Sequence, residues 1–151
     1  MRKKVFGRHL SRGRKSRVAL FRSLIRALVL NGKIVTTKAK AKAIVPLAEK
    51  LVVLGKEGSV ASRRRILAAL GNDREITDIL FSKVAPAFTK RTGGFTRIIL
   101  LPPRRGDAAE IVTLEWVEKI VIDEPKKEEK TKKEEKKTSK TKKAVSKSKT
   151  K

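Results

Sequence analysis

The stretch Ser16-Arg-Val-Ala-Leu20-Phe-Arg-Ser-Leu-Ile-Arg-Ala-Leu-Val-Leu30-Asn-Gly-Lys-Ile-Val-Thr-Thr37 holds a helix signal and a strand signal back to back. Leu20, Phe21, Leu24, Ile25 and Leu28 recur at helical spacing and Asn31-Gly32 supplies a stop, so the spacing predicts a helix over 16–30. Phe21, Leu24 and Leu28 would pack inward, while Arg22 and Arg26, four apart, share a face that can carry cations. Lys33 to Thr37 is short and β-branched, which makes it a strand. An amphipathic helix joined to a strand by a two-residue stop puts both kinds of element in one domain, and with the hairpin read below the class is α+β.

Downstream, Thr37 caps a second helix expected over 38–54. Its first turns carry Lys38, Lys40 and Lys42 where the macrodipole disfavours cations, an arrangement that costs stability unless phosphate lies nearby. Pro46 predicts a kink or an earlier break. After Gly55-Lys-Glu-Gly58, Ser59 caps a third helix with Val60, Ile66, Leu67 and Leu70 on the buried side and Arg63, Arg64 and Arg65 in succession. Asn72-Asp73 opens a fourth, containing Ile76, Ile79, Leu80, Phe81 and Val84 and ending near Pro86, before a Gly93-Gly94 turn.

The segment 95–101 reads as a strand, and Ile111-Val-Thr-Leu-Glu-Trp-Val117 alternates so that Val112, Leu114 and Trp116 share one face. Pro102-Pro-Arg-Arg-Gly-Asp107 has turn chemistry, giving an antiparallel hairpin. Adding the 33–37 strand yields about four helices packed on a small three-stranded mixed sheet. Three regions follow: a basic extension over 1–15, one α+β domain over 16–122, and a disordered Lys/Glu/Ser/Thr-rich tail over 123–151, whose only aliphatic residues are Ala144 and Val145.

Charge points to a partner. The chain has 40 Lys+Arg against 15 Asp+Glu, a net charge of +25 over 151 residues. No acidic residue precedes Glu49, so everything before it depends on an external polyanion for neutralisation. Cations set against phosphates release counterions, so such binding weakens steeply with salt and carries affinity without base readout. Aromatic residues are 4% of the chain and tyrosine is absent, which argues against stacking on single-stranded bases and for backbone recognition of folded nucleic acid.

Other chemistry is excluded in turn. Zero cysteines remove disulfides, thiolate catalysis and cysteine zinc sites, and one histidine removes any multi-histidine metal site. A reducing cytoplasm fits. No apolar run approaches the roughly 20 residues that span a bilayer, and no signal-peptide core is present, so no membrane role is expected. Gly55-Lys-Glu-Gly58 has the G-x-x-G form of a KH loop, but the expected fourth helix stands where a KH strand is required, and a helix cap with a turn explains both glycines. No Walker loop follows any glycine pair. His9 lacks a structured carboxylate partner and reads as a phosphate or base contact, or as a solvated side chain. The chain is read as non-enzymatic, with no cofactor, metal or small-molecule substrate. A nucleoid-associated DNA protein is the competing binding class.

Several blocks carry a family likeness. Gly7-Arg8-x-Leu10-x-Arg12 with Arg17-x-Ala19-x-Phe21-Arg22 is one, followed by Ile34-x-Thr36-Thr37 with Lys40-Ala41-Lys42, and by Ser59-Val60-Ala61-x-Arg63-Arg64. The longest runs from Leu80-Phe81 through Pro86, Phe88 and Arg91 to Gly93-Gly94-Phe95-Thr96-Arg97-Ile98, with Arg105-Gly106-Asp107 after it. In this order they resemble the bacterial large-subunit ribosomal protein L-seventeen family over about residues 1–120. Where that family often has His and Leu-Pro, this chain has Ser16 and Lys38-Ala39.

The resemblance implies a cytoplasmic structural constituent of the large ribosomal subunit, on the side where the nascent chain leaves. Its partners would be large-subunit rRNA and neighbouring large-subunit proteins, and it would support subunit assembly and translation. By position it makes Arg2, Lys3, Lys4, Arg8, Arg12, Arg14, Lys15, Arg17 and Arg22 rRNA contacts, with Lys38, Lys40 and Lys42 beside them. The Gly-Gly-Phe-Thr-Arg block would aim Arg91 and Arg97 at RNA. His9, Arg26, Arg63 and Arg64 complete the candidate set. The 123–151 tail inherits no role.

Overall fold

A computed structural model describes residues 7–118 and residue 120. The expectations for Arg2, Lys3, Lys4 and the 123–151 tail lie outside the described residues.

Helix α1 (Arg14–Asn31) starts two residues before the expected position and buries Ile25, Leu28 and Val29, leaving Phe21 half-buried. Gly32 ends it at φ 71°, a left-handed cap that only glycine adopts freely, with its N–H donated to the Leu28 carbonyl. Strand β1 (Lys33–Thr37) matches its expected span.

Helix α2 (Lys38–Glu57) runs unbroken through Pro46. Pro46 denies a hydrogen bond to the carbonyl of Lys42, but both residues are exposed, so water can serve that carbonyl and the break expected there does not occur. The helix also takes in Gly55, expected to be a turn residue. Gly55 is buried, and a Cβ placed on it would sit 2.7 Å from Leu80 Cδ2 and 3.1 Å from the Cβ of Ala85. Gly58 is the cap at φ 66°, so the Gly55–Gly58 pair is one packing contact and one helix stop rather than a backbone clamp.

Helix α3 (Val60–Leu70) opens on Ser59, whose Oγ accepts the Ser62 N–H at 3.1 Å. Ile66 and Leu70 are buried as expected, Leu67 is half-buried, and Val60 is 69% exposed because Ser62 takes the inward place in the first turn. Helix α4 (Arg74–Ile79), a π turn over Leu80–Val84 and α5 (Ala85–Ala87) form a fourth helical segment. Asp73 caps it by accepting the Ile76 N–H. In the π turn the Ala85 N–H reaches back five residues to the Leu80 carbonyl, just before Pro86, which has no N–H to continue the normal ladder.

Strands β2 (Thr96–Leu100) and β3 (Ile111–Trp116) pair antiparallel, and β3 pairs antiparallel with β1 on its other side. The order is β1-β3-β2, so the sheet is antiparallel throughout, not mixed. Both outer strands run against β3 and hence alongside each other's direction. Because β3 separates them, no parallel pairing forms.

Val112, Leu114 and Trp116 face the helices and are buried with Ile34. Phe88 and Phe95 are fully enclosed, with Phe88 5.2 Å from Phe95 and 5.8 Å from Trp116, ring centre to ring centre. Trp116 Nε1 donates to the Leu28 carbonyl at 3.1 Å, satisfying a buried donor while tying β3 to the last turn of α1.

Candidate nucleic-acid interface

The candidate cations divide by whether the protein has already neutralised them. On the arm, the Arg12 N–H bonds the His9 carbonyl at 3.1 Å, and Arg12 Nη1 donates to the Leu10 carbonyl at 3.1 Å. Leu10 and Ser11 are left-handed, at φ 54° and 50°, so the chain turns sharply just ahead of α1. Arg17 Nη1 lies 3.0 Å from His9 Nδ1. An arginine can only donate, so in this contact Nδ1 accepts and Nε2 carries the ring proton. Arg8, Arg14 and Lys15 have no protein partner among the described residues and are exposed.

At the start of α2, Glu110 supplies the negative charge that the helix end calls for. Its carbonyl accepts the Lys38 N–H at 3.0 Å and its carboxylate lies 3.0 Å from Lys38 Nζ. Lys40 and Lys42 have no such partner among the described residues, so the conflict with the helix dipole persists at those two positions.

Elsewhere carboxylates and carbonyls claim the guanidinium groups. Arg22 Nε and Nη2 donate to the carbonyls of Ala69 and Ala68 at 3.0 and 3.3 Å, capping the end of α3 where the dipole is negative. Arg26 pairs with Asp73 at 2.7 Å and Glu75 at 3.3 Å. Arg63 pairs with Asp78 and lies over the Phe81 ring. Arg91 bonds the Gly94 carbonyl at 3.2 Å and pairs with Glu118 at 3.3 Å, and Arg97 meets Glu115 across the β2–β3 ladder at 2.5 Å. A phosphate at any of these must compete with a bond already made. Arg64 on α3 has no partner among the described residues and lines an open groove with Leu67, Ala68, Gly71 and Asn72.

The sequence reading passed over other exposed cations without partners among the described residues, notably Arg65, Arg74 and Lys90. Arg65 was visible as the third member of the 63–65 run. Arg74 and Lys90 flank the fourth helical segment with no local pattern to mark them.

In the turn before β3, Arg104 holds Asp107 through two hydrogen bonds of 3.1 and 2.5 Å. That bonding, with the Ala109 N–H, draws the exposed Asp107 carboxyl down to about 2. Among the described residues no cluster of three or more His, Asp or Glu side chains is placed to hold a metal. No described helix is long and apolar enough to cross a membrane.

Comparison with known proteins gives the same direction. The sequence model of the family described as "Ribosomal protein L17" matches residues 20–117. A protein of Hydrogenobaculum sp. (strain Y04AAS1) named "Large ribosomal subunit protein bL17" is 48% identical over 119 residues, covering 78% of this chain and 100% of its own length. Proteins of the same name from Clostridium beijerinckii and Acholeplasma laidlawii are 46% and 42% identical, over 67% and 72% of this chain and 88% and 95% of theirs.

Proposed function

The chain belongs to the ribosomal protein L17 family, and on that premise we propose that it is a non-enzymatic structural constituent of the large ribosomal subunit that binds rRNA through backbone phosphates. It works in the ribosome, among rRNA and neighbouring subunit proteins. The observation that carries the binding mode is that six of the candidate cations are left open among the described residues: Arg8, Arg14 and Lys15 on the arm and first turn, Lys40 and Lys42 on α2, and Arg64 on α3. Each can replace counterions on a phosphate without first breaking an internal bond. Arg12, Arg17 and His9 shape the arm, Arg22, Arg26, Arg63 and Arg91 hold the domain together and serve RNA through the donors they have left, and Arg97 is held on the sheet by Glu115.

The mechanism is electrostatic. Where rRNA helices approach one another, unpaired cations lower phosphate repulsion, and the small content of aromatic side chains fits recognition of backbone and shape. Helix α1 begins at Arg14, so the extension that reaches into RNA leaves the domain at Gly13.

The test is Arg8→Glu with Arg12→Glu in the full chain. Incorporation into large subunits, followed by sedimentation, should collapse, while the melting temperature of the free protein stays nearly unchanged. Normal incorporation would remove the arm from the mechanism. Retention on DNA after RNase treatment, with absence from large-subunit fractions, would make it a DNA-binding protein instead.

A further inference from the structure

The face of the sheet that looks away from the helices has a composition unlike the rest of this +25 chain. The strand register sets out its rows. Lys33, Glu115 and Arg97 form one, and Val35, Thr113 and Ile99 form the next. Beyond it Ile111 stands opposite Thr37, and its carbonyl accepts the Leu101 N–H at 3.0 Å. Val35 is 65% exposed, Ile99 44% and Leu101 38%. These aliphatic groups sit together on one surface, and no described helix covers them.

Charge on this face is largely cancelled in place. Arg97 is paired with Glu115, and at the rim Lys38 is paired with Glu110. Lys33 alone on the face is a cation with no partner among the described residues. RNA phosphate would gain one contact here and cover aliphatic surface that offers it nothing. A second copy of the chain would bring another +25 against the first and leave both Lys33 side chains unanswered.

We propose that this face docks a different protein of the large subunit, through an aliphatic surface of low net charge with a carboxylate set to meet Lys33. The proposal rests on the ribosomal reading above and assigns one face of the domain to protein while the arm and helices meet RNA. Aliphatic packing over Val35, Ile99 and Leu101 supplies the contact, and the Lys33 pair fixes its register.

The experiment places the photo-cross-linking residue p-benzoylphenylalanine at position 99 of the full chain, in cells, and irradiates purified large subunits. One cross-link to a single other subunit protein is expected, reduced at least tenfold by adding Val35→Glu and severalfold by Lys33→Glu. Each of these two changes lies on the exposed face, so if one prevents folding the other gives the readout. A cross-link to rRNA or to a second copy would overturn the proposal. So would no cross-link in subunits that contain the chain, or one that neither charge reversal weakens. Absence of the chain from the subunits is a separate result that overturns the ribosomal reading, and the proposal with it.

Discussion

Arg22 reaches from α1 to the carbonyl of Ala69, 47 residues later, and closes the last turn of α3 at 3.0 Å. The same guanidinium would lie 2.8 Å from a Cβ on Gly71. A residue that belongs to a basic signature is therefore also the bolt between two helices. Arg22→Ala should cost about 1–2 kcal/mol, the scale for two hydrogen bonds from a charged donor at a partly exposed site. A urea melt checks it. An unchanged midpoint accompanied by lost rRNA affinity would return Arg22 wholly to RNA.

The division between open and paired cations has a salt signature. Replacing Arg8, Arg14 or Lys15 by Ala should each lower the slope of log affinity against log salt by about 0.7–0.9, the yield of one released counterion. Replacing Arg26 or Arg63, whose guanidiniums already face Asp73 and Asp78, should change the slope by less than half as much. Filter binding to large-subunit rRNA over a series of salt concentrations gives both numbers. Equal slopes for the two groups would refute the division.

Gly55 places two effects in opposition. Gly55→Ala gains up to about 1 kcal/mol of helix propensity, but overpacking a filled interior costs about 1–3 kcal/mol. Leu80 is only 1% exposed, so its methyl has nowhere easy to move. The clash should win. Ala should lower stability modestly and Gly55→Val by about 2–3 kcal/mol, measured by thermal unfolding. A stabilised Gly55→Ala protein would show that Leu80 can yield.

Asp107 titrates low because its carboxylate form accepts the Arg104 hydrogen bonds. Its folded value lies below the unfolded one, so its contribution is fully present above about pH 4. It is lost as pH falls through about 2. The Asp107 carboxyl resonance should show a midpoint near 2 by NMR, and Arg104→Ala should return it toward an ordinary aspartate value. An ordinary midpoint in the unsubstituted protein would rule out the pairing in solution.

Local patterns made much of the fold legible. Period 3.6 in 16–30, β-branching in Lys33–Thr37 and strict alternation in Val112, Leu114 and Trp116 placed a helix and two strands correctly, but the inward side of that helix is centred on Ile25, Leu28 and Val29, while Phe21 and Leu24, expected inward, are only partly buried. Gly55 was misread because a glycine at a close helix contact and a glycine at a turn look alike along the chain. The central place of β3 was hidden for a related reason: pairing Ile34 with Leu114 joins residues 80 positions apart, and no local signal encodes it. The same distance obscured the site. Nothing near Arg26 or Arg97 announces Asp73 or Glu115, so cations that the domain consumes internally could not be separated from those it leaves open.

The strand order also fixes a sequence of events during synthesis. Both sheet pairings involve β3, the last of the three described strands to be made. A growing chain halted before Ile111 contains β1 and β2 but not one strand pair, whereas its arm and the four cations at Arg8, Arg12, Arg14 and Lys15 are finished almost at the outset. The charged end is thus ready before the platform that will anchor it, and the domain closes only when Trp116 arrives beneath Leu28.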